Sequence, residues 1–184
     1  MKPAAVFLDR DGVLNKALVG RRRPAAPQRL EDFEILPGVP DALARLKAAG
    51  YALVVVTNQP DVARGRLDRA VVEAMHARLA AALPLDEIRV CYHDAADQCS
   101  CRKPAPGLLL EPSNYDVAKS AIVGDRWRDV EAGRRAGCRA TILVDYDYDE
   151  ALLHEPDVRV NSLSEAVDWI LGRWGQAPVA KGTL

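Results

Sequence analysis

Apolar residues fall along this chain in two rhythms, short unbroken runs and longer stretches with apolar positions three or four apart. The runs at residues 4–8, 52–56, 88–92, 121–123 and 140–144 have the length of strands buried on both faces. A weaker run at 158–160 extends the set. Between them lie helical patterns. Residues 40–49 carry Asp41 early, Leu43 and Leu46 inward, and Gly50 as a stop. Residues 69–82 place Val72, Met75 and Leu79 on one stripe behind Asp68 as an N-cap. A helix over 128–136 ends at Gly137, and Ser162 with Glu165 predicts a capping box before a last helix bearing Val167 and Ile170. Residues 16–36, interrupted by Pro24 and Pro27, read as irregular. Strand alternating with helix predicts an α/β fold with a mainly parallel sheet covered on both faces. Residues 1–174 are expected to form one domain and 175–184 a fraying tail.

Polar residues gather where the strand signals stop. Asp9 and Asp11 follow the first run and Gly12 turns the chain; residues two apart in extended backbone point the same way. Two carboxylates about 4 Å apart repel by about 4 kcal/mol at an effective dielectric of about 20. A cation between them or a proton on one relieves this; the alternative is a solvated acidic turn. Thr57, Asn58 and Gln59 end the second run, and Gly124-Asp125 ends the fourth, with Asp129 four residues on. Ligands of open parallel sheets sit outside the carboxyl ends of strands, which brings Asp9, Thr57 and Asp125 together. Asp129 either supports a metal there or occupies a first helical turn, where anions are favoured.

Cys91, His93, Cys99 and Cys101 lie within eleven residues (91–101). Three thiols and an imidazole match a closed tetrahedral Zn²⁺ site, although the spacing is not that of common zinc fingers. The alternative is a loop of unrelated thiols. Cys138 reads as a small buried residue leading into a strand, and His76 and His154 as surface residues.

With 28% charged residues and a net charge of -1, the chain of 184 residues has no general pull toward nucleic acid or anionic membranes. No apolar run approaches a membrane span, and the first reaches Asp9 too soon for a signal peptide. The expected location is the cytoplasm, where cysteines stay reduced, and the expected state a monomer.

In chain order these residues give Asp9-x-Asp11, Thr57, Lys103 and Gly124-Asp125-x-x-x-Asp129, a series that resembles the four motifs of the haloacid dehalogenase (HAD) superfamily of phosphatases. The resemblance covers about residues 4–145 and implies a three-layer Rossmann-like core with no large cap domain. It implies Asp9 as nucleophile, Asp11 as acid and base (needing a proton at the outset, which repulsion from Asp9 favours), and Lys103 as the cation offsetting charge. Mg²⁺ would be held by Asp9, the Asp11 carbonyl and Asp125. The Cys-x-His…Cys-x-Cys-Arg-Lys-Pro stretch narrows the likeness to the D-glycero-D-manno-heptose-1,7-bisphosphate 7-phosphatase group, whose near relatives are histidinol-phosphatase domains. Thr57, Asn58, Gln59 and Arg102 then contact substrate or phosphate, and the zinc is structural, fixing where Lys103 points. The partner implied is a small sugar bisphosphate. A histidinol-phosphate or broader sugar-phosphate phosphatase is one alternative; a non-catalytic phosphoacceptor or zinc-dependent binding module is another. Arg21-Arg22-Arg23, Arg64 and Arg66 are open between a second phosphate contact and a solvated surface, as Arg126 is between pocket and surface. Residues 107–110 should open a helix that Glu111-Pro112-Ser113-Asn114 cuts short.

Overall fold

The computed structural model describes residues 2–20 and 23–177. Its strands are β1 (Ala5–Leu8), β2 (Leu18–Gly20), β3 (Arg23–Ala25), β4 (Ala52–Asn58), β5 (Glu87–Cys91), β6 (Ala121–Gly124), β7 (Ala140–Val144) and β8 (Val158–Val160). Its α-helices are α1 (Val39–Ala48), α2 (Pro60–Ala63), α3 (Arg69–Ala82), α4 (Gly107–Leu110), α5 (Trp127–Ala136) and α6 (Leu163–Trp174). Six strands form one parallel sheet in the order β5-β4-β1-β6-β7-β8.

That order explains why the strands read as unbroken apolar runs. In β1, Val6 and Leu8 pack on one side with Leu46, Met75 and Ile170 from α1, α3 and α6. Ala5 and Phe7 pack on the other with Leu108, Leu109 and Ala132 from α4 and α5. Every β1 residue is therefore buried, and no polar position interrupts the pattern. Helix α5 lies so close to the sheet that a Cβ on Gly133 would stand 2.3 Å from Ile122, so only glycine fits there.

Sequence and structure differ in particular places. Residues 16–36 are not wholly irregular, because β2 and β3 pair antiparallel and Leu30–Asp32 make a 3-10 turn. Only half of the capping box forms: Ser162 Oγ accepts from Glu165 N at 3.2 Å, but the Glu165 carboxylate reaches past Ser162 to Asn161 N at 2.9 Å. Helix α4 does stop at Leu110, before Pro112. Of the expected tail, 178–184 lies outside the described residues, while Ala177 N donates to Ala49 O at 2.7 Å. No helix among the described residues is long and apolar enough to cross a membrane.

The chain runs outward from β1 through β4 to β5, then crosses back to β6 and continues to β7 and β8. The reversal opens a crevice at the carboxyl end of β1, between its two neighbours. Leu46→Ala, a cavity in the fully buried layer behind that strand, is expected to cost about 2–5 kcal/mol in urea unfolding. A loss under about 0.5 kcal/mol would contradict this packing.

Candidate active site

A pocket of about 400 Å³ occupies the crevice, lined by Asp9, Asp11, Thr57, Lys103, Asp125 and Asp129 at its floor and by arginines at its mouth. Asp9 leaves β1 with its backbone N–H bonded to Val123 O of β6 at 2.9 Å. Lys103 Nζ, only 2% exposed, donates to Asp9 Oδ1 at 2.8 Å, to Asp129 Oδ1 at 2.5 Å and to the Val56 carbonyl at 2.7 Å. Burial works against its charge, but Asp129 and Asp9 outweigh that and hold Lys103 above the ordinary lysine range. Burial lifts Asp9 to about 6, against the pull of Lys103 and with Asp129 adding to the rise.

Asp125 is the anomaly. It is 3% exposed, and neither carboxylate oxygen has a hydrogen-bond partner among the described residues. Burial first, then the nearby Asp125 charge, raise the Tyr148 phenol above its ordinary range, yet no bond of ordinary geometry joins the two residues. Burial, then Asp9 and Asp129, push Asp125 well above the usual carboxylate range. An unpaired buried carboxylate costs several kcal/mol. Carboxylate oxygens of Asp9, Asp125 and Asp129 lie within 4.8 Å of one another, so three acids face one ammonium. A hard divalent cation with oxygen ligands fits this donor set and would satisfy the orphaned atoms. Gly12, at φ +88°, makes the approach possible: a Cβ there would lie 2.2 Å from Asp125 Oδ2.

Asp11 lines the same pocket but has different neighbours. Arg10 forks onto it through Nε and Nη2 at 2.9–3.2 Å. Asn15 Nδ2 and Gln59 Nε2 each donate at 2.9 Å. Donors from three residues thus surround Asp11. Gln59 also donates to Thr57 Oγ1 at 2.9 Å. Asn58 lines the pocket too, and its amide is bonded to the Lys103 backbone: Nδ2 donates to Lys103 O at 3.0 Å and Oδ1 accepts from Lys103 N at 3.1 Å. Asp129 Oδ2 accepts from Arg126 N at 3.1 Å, which makes it a helix cap as well as a partner of Lys103.

Around the mouth stand Arg64, Arg66, Arg102, Arg126 and Arg128. Arg102 donates to His93 O at 3.1 Å. Arg126 forks onto Glu150, and Arg64 pairs with Asp94. Arg21 and Arg22 lie outside the described residues, as does the side chain of Arg23. His76 is not a surface residue: it is buried on α3 against Arg10. His154, half-exposed, pairs with Glu131. Cys138 is partly buried, which pushes its thiol up to about 12.

The four expected zinc ligands converge behind Lys103. Cys91, Cys99 and Cys101 sulfurs stand 3.1–3.7 Å apart, and His93 Nδ1 lies 3.3 Å from Cys101 and 3.6 Å from Cys91. Zn–S bonds of about 2.3 Å in a tetrahedron give sulfur separations of about 3.8 Å. A disulfide needs about 2.05 Å, and all four cysteines are free thiols. The cluster therefore fits a closed tetrahedral metal ion. It starts at the end of β5 and finishes two residues before Lys103, so whatever orders it also orders the lysine.

Sequence reasoning missed Arg10 and Asn15, the supports of Asp11. The signal was available for Arg10, since the residue between two same-facing strand positions points the other way, into the protein, where a guanidinium needs a partner.

Residues 13–137 match the family model described as haloacid dehalogenase-like hydrolase. The chain is 34% identical to the D-glycero-beta-D-manno-heptose-1,7-bisphosphate 7-phosphatase of Escherichia coli K12, over 96% of this chain and 92% of the relative. It is 38% identical to the enzyme of that name from Pseudomonas aeruginosa, over 78% and 82%. It also resembles the crystal structure of D,D-heptose 1,7-bisphosphate phosphatase from Bordetella bronchiseptica complexed with magnesium and phosphate, with TM-score 0.76, 32% identity and coverage of 92% and 98%.

Two expectations test the two metal sites. Mg²⁺ should raise the melting temperature near neutral pH, and the gain should shrink as pH falls through about 6, where the cation must displace protons from Asp9 and Asp125. Carboxyls with raised folded pKa bind protons better in the folded state, so the metal-free protein loses this part of its stability as pH rises from about 4 through about 6. An equal Mg²⁺ shift on both sides of that window would contradict the assignment. Elemental analysis should find about one zinc per chain, and little in Cys99→Ser. Equal zinc in both would remove the cluster.

Proposed function

The chain belongs to the haloacid dehalogenase-like hydrolases, and from that premise we propose that it hydrolyses the 7-phosphate of D-glycero-D-manno-heptose 1,7-bisphosphate through an aspartyl phosphate on Asp9. The observation that carries the reading is Asp125: a buried carboxylate with no hydrogen-bond partner among the described residues, beside Asp9 and Asp129 and below a pocket rimmed by arginines.

A carboxylate oxygen of Asp9 attacks phosphorus, forming an acyl-phosphate bond as the bond from phosphorus to the sugar oxygen breaks. Asp11 gives a proton to that oxygen, then takes one from the water that attacks the aspartyl phosphate and releases inorganic phosphate. Lys103 pairs with Asp9 at rest and lies within reach of the negative charge that builds on the transferring group. Asn58 fixes the lysine by its backbone, and the cysteine cluster fixes the segment that precedes it. Thr57, buried at the floor, offers its hydroxyl to a phosphoryl oxygen. Mg²⁺ held by Asp9, Asp125 and the Asp11 carbonyl would neutralise charge on the phosphoryl group, the chemistry that Asp125 lacks a partner for.

A bisphosphate places a second dianion away from the reacting centre. Arg64, Arg66, Arg102, Arg126 and Arg128 at the mouth suit that anion better than the imidazole and ammonium of histidinol phosphate, which they would repel.

Asp9→Asn is expected to reduce Mg²⁺-dependent phosphate release by several orders of magnitude, measured by phosphate assay with folding checked by circular dichroism. Normal turnover by that variant would overturn the assignment of Asp9. In a substrate panel, the heptose bisphosphate should give the largest kcat/KM, well above histidinol phosphate. The reverse order would overturn the substrate and leave the phosphatase chemistry standing.

A further inference from the structure

Arg10 has no part in the reaction as described, yet it is among the most costly side chains in the molecule to bury. It is 0% exposed, and its whole guanidinium is spent inside the protein. Nε and Nη2 form the fork on Asp11. Nη1 faces His76 Nε2 on α3 at 3.1 Å and touches the Met75 sulfur at 4.0 Å. The plane lies over the Phe33 ring at 5.7 Å. Its carbonyl receives the backbone N–H groups of Leu14 and Asn15 at 2.9 and 3.1 Å, which closes the turn carrying Asp11.

Burying an arginine for stability alone is a poor bargain, because apolar residues of similar volume often do as well or better. The arrangement makes sense if the aim of the charge matters. A guanidinium is planar and rigid, so fixing one nitrogen and stacking its face fixes the direction of the other two. His76 accepts from Nη1, and burial, then Arg10 itself, hold that imidazole down at about 4, neutral and able to accept. A helix on one side of the sheet thereby sets the orientation of a carboxylate at the sheet's end.

We propose that Arg10, anchored from α3 by His76, is a positioning residue that aims the Asp11 carboxyl at the leaving oxygen for proton transfer. The proposal rests on the acid–base role given to Asp11 above. The fork, through Nε and Nη2 at 2.9–3.2 Å, fixes the direction of the Asp11 carboxyl. Asn15 and Gln59 complete the same cradle from two other segments.

The test compares an alkyl ester, a sugar phosphate whose leaving oxygen needs a proton, with 4-nitrophenyl phosphate, whose leaving group departs without one. Asp11→Asn sets the reference, with kcat on the sugar phosphate falling by about 10²–10⁴-fold and the aryl ester losing far less. Arg10→Met and His76→Leu should show the same selectivity at about 10–100-fold on the sugar phosphate, with KM nearly constant and the aryl ester within a few-fold. His76→Gln, which keeps an acceptor for Nη1, should recover most of what His76→Leu loses. Equal losses on both esters in Arg10→Met and His76→Leu, against a selective loss in Asp11→Asn, would overturn the proposal alone. Absence of selectivity in Asp11→Asn would overturn the acid–base reading and the proposal with it. If Arg10→Met fails to fold, His76→Leu and His76→Gln carry the same comparison.

Discussion

The ammonium of Lys103, held between Asp9 and Asp129 with the Val56 carbonyl as its third acceptor, is the contact on which the rest of the site depends. All three charged groups are almost fully buried. At such depth an ion is tolerable only with a partner, and one lysine cannot balance Asp9, Asp129 and Asp125 together. The imbalance falls on Asp125, whose oxygens have no hydrogen-bond partner of ordinary geometry among the described residues, and it is what fits the crevice to a cation.

Three levels of structure hold that ammonium in place. The reversal of strand order opens the crevice and brings the ends of β1, β4 and β6 to it. The Asn58 amide then clamps the Lys103 backbone to the end of β4. The cysteine cluster, attached to the end of β5, holds the approach to Lys103 from the other side. A connection with only the short 3-10 turn Ala95–Asp97 in it thus brings a charge to the ends of the strands. A metal ion on the three thiols and His93 would make this short connection rigid.

The strand ends were legible because burial on both faces removes polar residues from a strand and leaves the first polar one at its tip. This is why Asp9, Thr57 and Asp125 could be placed from the pattern alone. The four cysteine-cluster residues were legible from spacing and chemistry. What stayed hidden depends on contacts between segments distant in the chain. His76 lies on the same buried face as Val72, Met75 and Leu79, but its partner Arg10 is 66 positions earlier, so nothing local showed what the imidazole meets there. The bonds between the Asn58 amide and the Lys103 backbone stayed hidden because local sequence cannot tell which way a strand-end amide turns. The β2–β3 hairpin was hidden by Pro24 and by arginines that weaken the alternation expected of a strand. The Asp11 cradle draws on Arg10, Asn15 and Gln59, three residues that meet only through the fold, and Asn15 carries no spacing signal of its own.

Anomalous diffraction from crystals grown with Mn²⁺, a stand-in for Mg²⁺ with a measurable signal, tests the central claim most directly. The account predicts one strong peak in contact with the carboxylates of Asp9 and Asp125, and its loss in Asp125→Ala with the fold intact. A peak elsewhere, or one that survives in Asp125→Ala, would contradict it.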